Sequence, residues 1–131
     1  MIGPRRGHRH DAGVTTEVLI YPVLLTLVMV VFQFALHAHA QQLVSAAAED
    51  AADRVRVQGG TVSEGETTAY QLLAEQAPGL LANETVAVTP LADRVRVEVR
   101  GDVISLVPFV DLAVIAVEEG PIERFVSQAD R

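Results

Sequence analysis

Three hydrophobic rhythms divide the chain. Between Val18 and Leu36 there is no polar face: VLIYPVLLTLVMVVFQFAL is nineteen uncharged residues, strongly apolar all the way round. A helix rises about 1.5 Å per residue, so the run reaches roughly 28 Å, close to the hydrocarbon thickness of a bilayer. Within lipid a single segment satisfies its own backbone only as a helix. A soluble domain of this size seldom needs a helix without a polar side. The run therefore predicts one transmembrane helix within residues 14–40, preceded by a short basic leader over 1–13.

Beyond Leu36 the rhythm becomes that of an amphipathic helix. Leu43, Ala47, Ala51 and Val55 recur at i+4, and the Ala, Gln and Glu around them favour helix. Nothing interrupts the pattern before Gly59-Gly60. The membrane helix is thus expected to continue as a stem over residues 41–58, ending near Val57. Residues 59–131 remain for a head.

In the head, Ser63-Glu64-Gly65-Glu66 has the form of a capping box ahead of a helix from Thr67 to Ala77. Tyr70, Leu73 and Ala77 would face inward, and Pro78-Gly79 stops the helix. The period then changes to two. Val86 and Val88 form one alternating run, and Val95, Val97 and Val99 form a second that Gly101 should end. Leu91-Ala92-Asp93 is the expected hairpin connection. Ile104 to Val110, around Pro108, reads as a turn of helix or a loop folding over the sheet. Leu112 to Val117 is a third strand, with GPIERF following at the edge. DRVRV occurs at Asp53–Val57 and at Asp93–Val97, but one copy is helical in context and the other extended, so it is not a repeat.

The expected fold is α+β and membrane-anchored. A long N-terminal helix and its stem pack on a small three-stranded antiparallel sheet with one short helix. Without the stem, that core would be marginal for its size.

Charge orients the molecule. Arg5, Arg6 and Arg9 lie before the apolar run, whereas fifteen acidic and seven basic side chains follow from Gln41 onward. The positive-inside rule keeps the basic leader in the cytoplasm and carries the acidic head across the membrane. An acidic surface also argues against nucleic acid as a partner. The chain has no cysteine, so neither disulfides nor thiol chemistry is available. A basic start, an apolar run and Ala38-His39-Ala40 also imitate a secretory signal peptide. On that alternative, cleavage after Ala40 would release a small acidic binding domain. The apolar run is longer than such segments usually are, and the helical pattern continues past the cut.

Few residues carry candidate chemistry. His37 and His39 are two apart and point to different helix faces, which is wrong for joint metal ligation. No activated nucleophile, phosphate-cradling loop or metal-spaced cluster is present, so no enzyme activity and no cofactor is expected. Pro22, one turn into the run, removes a donor and tends to kink the helix. Thr26, Gln33 and His37 fall within about 40° of one another at roughly 100° per residue, and Pro22 joins their stripe. Polar groups in lipid tend to face other helices, so the stripe is a candidate partner face. Glu17 points nearly the opposite way. In the first helical turn, the macrodipole would favour its negative charge.

The opening Asp11-Ala12-Gly13-Val14-Thr15-Thr16-Glu17, the apolar helix with its early Pro22, and the stem's Gln41-Gln42 and Ala46 to Ala52 resemble the TadE-like pseudopilins of the tight-adherence (Tad) pilus apparatus. The valine-alternating strands and Pro121-Ile122-Glu123-Arg124-Phe125 resemble the ends of those proteins. The resemblance implies a pilin-like minor structural subunit of a pilus or secretion system used in adhesion. Its partners would be other pilin or pseudopilin subunits and Tad-type membrane platform proteins. It also implies that Glu17 meets the N-terminal amine of a neighbouring subunit, setting the stagger between helices.

Some type IV pilins are cut by a prepilin peptidase after a glycine, leaving glutamate as the fifth mature residue. Here a cut after Gly13 makes Glu17 the fourth residue. A cut after Ala12 restores the fifth place but puts alanine before the scissile bond.

Overall fold

The computed structural model describes Gly3, residues 11–57 and residues 59–122, with only the backbone for 11–15. Arg5, Arg6 and Arg9 of the leader, and Glu123 to Phe125, lie outside the described residues.

The first helix, α1 (Asp11–Arg56), is one element of 46 residues, some 69 Å long. Membrane run and stem are continuous, as the unbroken helical pattern requires, and the stem stops one residue short of Val57. Pro22 stands inside the helix without ending it. The hydroxyl of Thr26 donates to the Pro22 carbonyl at 2.8 Å, keeping that polar side chain on its own backbone.

The second helix, α2 (Val62–Gln76), begins earlier than the sequence pattern indicates. Its N-cap is Thr61, not Ser63: the Glu64 amide donates to the Thr61 hydroxyl at 3.2 Å, and the Thr61 amide donates to the Glu64 carboxylate at 3.0 Å. Both residue sets have the spacing of a capping box, and the earlier one is formed. Gly65 is buried where α2 crosses α1. A Cβ there would overlap Cγ2 of Val55 and come within 3.2 Å of the Ala51 carbonyl oxygen. Glycine within a helix costs about 1 kcal/mol against alanine, and here it permits close helix contact.

Three strands follow: β1 (Leu81–Pro90), β2 (Arg94–Val103) and β3 (Leu112–Pro121). They form an antiparallel meander in the order β1-β2-β3. The expected hairpin is closed by the Leu91 amide donating to the Arg94 carbonyl at 2.8 Å. Gly101 does not end β2. It is buried inside the strand opposite Val114, and the strand runs on to Val103. The two DRVRV copies separate as expected, since Arg54 lies in α1 and Arg94 in β2.

The period-two pattern sends Val95, Val97 and Val99 inward, each fully buried. They meet a stem face of Ala40, Val44, Ala47, Ala48, Ala51 and Ala52. Alanines there let the sheet and α2 approach the helix axis closely. Leu73 and Ala77 face the core as expected, but Ala69 takes the place assigned to Tyr70. The Tyr70 ring lies at the surface, and its hydroxyl accepts the Val86 amide of β1 at 3.3 Å. That covers part of an edge strand's unpaired backbone. Stem, α2 and sheet thus form one core, and the anchor and the head share a single rigid helix.

Candidate functional site

From Thr16 to Phe32, not one described side chain of α1 is buried. Leu19, Tyr21, Val23, Leu25, Val31 and Phe32 are each about three-fifths exposed or more. A helix this long and apolar, carrying no other part of its own chain, fits a single-pass membrane anchor.

Gln33 is where this bare stretch ends. Its side chain is only 3% exposed. The amide nitrogen donates to the Ile104 carbonyl at 3.1 Å, and the amide oxygen accepts the Leu106 amide at 2.6 Å. A carboxamide presents an N–H donor beside a carbonyl acceptor, so it pairs with an extended backbone much as a neighbouring strand would. The segment between β2 and β3 is therefore a loop that folds against the helix, rather than a helical turn over the sheet.

Two further contacts fix this junction. The Ile104 amide donates to the Leu80 carbonyl at 3.0 Å. Two turns up the stem, Gln41 donates to the Ile115 carbonyl of edge strand β3 at 2.8 Å. His37, between the two glutamines, is half-buried, and its Nδ1 is buried without a hydrogen-bond partner among the described residues.

The stripe of Thr26, Gln33 and His37 is therefore the head-facing side of the helix at its upper end. On the wheel, Gln33 lies within about 20° of Ala40 and Val44, so the polar stripe runs straight into the stem's buried stripe. Thr26 and Pro22 continue the same face below the head, exposed. The structure brings Gln33 and His37 together under the head and leaves Thr26 and Pro22 apart from them.

Glu17 is exposed and on the far side of the helix from Gln33, about 160° round. Because α1 starts at Asp11, Glu17 is not in the first turn as expected but is the seventh helical residue. The free amides that would favour its charge belong to the first four residues, so the macrodipole accounts for little of its placement. Ala12 and Gly13 fall within α1, and of their side chains nothing is described.

Sequence reasoning passed over Gln41, Leu80 and Ile104 as contributors to this junction. The wheel position of Gln33, in line with Ala40 and Val44, was the available signal. Among the described residues, no group of three or more His, Cys, Asp or Glu could hold a metal ion.

The α+β head on a single apolar helix defines the class: a protein built around one membrane-anchor helix. Residues 18–53 match the model of the TadE-like protein family, the family that the opening of the chain resembles. The matched stretch is the apolar run and most of the stem, just over a quarter of the chain. It begins immediately after Glu17, so the Asp11–Glu17 opening lies outside it. No curated protein and no solved structure matches the chain.

Proposed function

We propose that this protein is a minor pseudopilin-like structural component of a Tad-type pilus or secretion apparatus. The TadE-like match points to a component associated with that pilus. The observation that carries the reading further is the bare helix from Thr16 to Phe32. No described side chain on it is buried and only Val30 is half-buried, so most of its circumference is free for lipid or for sister helices.

In this reading the cytoplasmic membrane holds the protein with its N-terminus inside and its head outside. The protein acts by lateral packing of the helix against other pilin or pseudopilin subunits and the membrane platform proteins. Small and polar residues are what helices in lipid use to associate, and Thr16, Pro22 and Thr26 lie on the exposed stretch. Glu17 points away from the head-bearing face. A carboxylate at the membrane edge is costly unless paired, and the N-terminal amine of a neighbour, after cutting behind Ala12 or Gly13 by a prepilin peptidase, would supply the pair.

Release of a soluble domain after Ala40 is the weaker alternative. Ala40 is fully buried in an uninterrupted helix, which favours retention, because a cut there would sever the element on which the head is built.

The test compares membrane complexes purified from wild-type and Glu17→Ala cells. Loss of pilin-like partners and of surface pili is expected in the variant. Unchanged recovery and unchanged piliation would remove Glu17 from the mechanism.

A further inference from the structure

The loop tied down by Gln33 has an unusual surface. Residues 104–110, Ile-Ser-Leu-Val-Pro-Phe-Val, carry no charge. Ile104 and Leu106 are each about two-fifths exposed, and Phe109 is wholly exposed. The Val110 amide donates to the Val107 carbonyl at 3.3 Å, closing a tight turn with Pro108 and Phe109 at its centre. Phe109 has φ +67°, where glycine or asparagine is the usual occupant. A bulky aromatic in the left-handed region is strained, and such strain clusters where a segment has a function to serve. Nothing in the packing of the head calls for a phenylalanine there, since its ring touches no core.

The loop's height gives the reason. Gln33 lies inside the apolar run that ends at Leu36, roughly 22 Å along the helix from Val18. Hydrogen bonds to Gln33 therefore hold Ile104 and Leu106 level with the last turn of the membrane segment. Non-helical backbone is tolerated at such a level only when its polar groups are satisfied. Here they are. The Ile104 carbonyl and the Leu106 amide are met by Gln33, the Ile104 amide by Leu80, and the Val107 carbonyl by Val110 and the Ser105 hydroxyl at 2.6 Å.

We propose that the 104–110 loop is a second membrane contact, with Phe109, Leu106 and Ile104 seated in the headgroup and acyl boundary of the head-side leaflet. The occupant of this apolar surface is lipid, because the surface is continuous with the bare anchor helix and stands at the boundary of its span. Phenylalanine and leucine are among the side chains that membrane-surface segments bury at that boundary. With a helix and a loop both in the bilayer, the head is fixed in height and in rotation about the helix axis. Which face of α1 is offered to neighbours is then set before assembly. The inference rests on the helix spanning the membrane.

The chain has no tryptophan, so full-length Phe109→Trp carries a single reporter. It is reconstituted into phosphatidylethanolamine and phosphatidylglycerol vesicles, and flotation is measured on the same samples. The expected result is flotation with the vesicles and a blue-shifted emission. Lipids brominated near the headgroup should quench it more strongly than deep-chain bromolipids or aqueous acrylamide. Flotation with red-shifted, acrylamide-quenched emission would overturn the loop contact while leaving the anchor intact. Shielded emission that bromolipids do not quench, and that is lost on dilution in excess lipid, would mean a second copy covers the loop and would equally overturn it. Failure to float would overturn the anchor and the loop contact together. A second variant, Phe109→Asn, suits the left-handed turn and should keep the head folded by circular dichroism. In vesicles its loop should lose protection from protease, and protection equal to wild type would count against the proposal.

Discussion

Gln33 and Leu106 are 73 positions apart in sequence and joined by a 2.6 Å hydrogen bond from the Leu106 amide to the Gln33 side-chain oxygen. That bond and its companion to the Ile104 carbonyl dock the head onto the helix at the level where the apolar run gives way to the stem. That side chain thus couples the loop between β2 and β3 to the anchor.

Replacing it tests the coupling. Gln33→Leu is favourable for a membrane segment but leaves the part-buried Leu106 amide and Ile104 carbonyl without partners. A fully buried orphan costs about 1–3 kcal/mol, and these two less. The expected outcome is normal membrane insertion with a lower unfolding temperature of the head in detergent. Amide exchange at Leu106 should also accelerate, and wild-type protection at that amide would show the bond to be dispensable.

The crossing of α1 and α2 depends on an absent side chain. Gly65→Ala places a methyl against Cγ2 of Val55, and overpacking of this kind costs about 1–3 kcal/mol. Val55→Ala removes the obstacle. In that background Gly65→Ala should cost much less, so denaturant unfolding of the four proteins of the cycle should give a clear coupling energy. Additive effects would mean that α2 relaxes away by some other route.

Helix α2 begins at Thr61, and its capping box is reciprocal. Thr61→Ala should lower the stability of the head by about 1 kcal/mol. Ser63→Ala, at the position first indicated by the sequence, should have less effect. Equal losses in thermal unfolding would contradict the assigned start.

These residues also show what the amino-acid pattern could and could not convey. The apolar run, the stem's stripe and the alternating valines are periodic, and a period names an element and its buried side directly. Junctions are not periodic. Thr61 and Ser63 both have the capping spacing, and nothing in the local sequence decides between them. Tyr70 looked like core because it is large and at helical spacing, yet β1 needed its hydroxyl at an exposed edge. Gln33 read as a residue for an outside partner because its actual partner lies in a loop seventy positions further on. The uncharged composition of that loop was visible, but its height beside the membrane segment depends on the tertiary bond.

The central claim is that the bare part of α1 packs sideways against sister helices. The chain has no cysteine, so single cysteines can be placed one at a time from Leu19 to Phe32 and oxidised in native membranes. Cross-links to another copy, or to a pilin-like partner given a cysteine of its own, should recur about every 3.6 residues, marking one face, and should diminish with Glu17→Ala. A helix that cross-links nowhere along this stretch, in cells that assemble pili normally, would contradict the account.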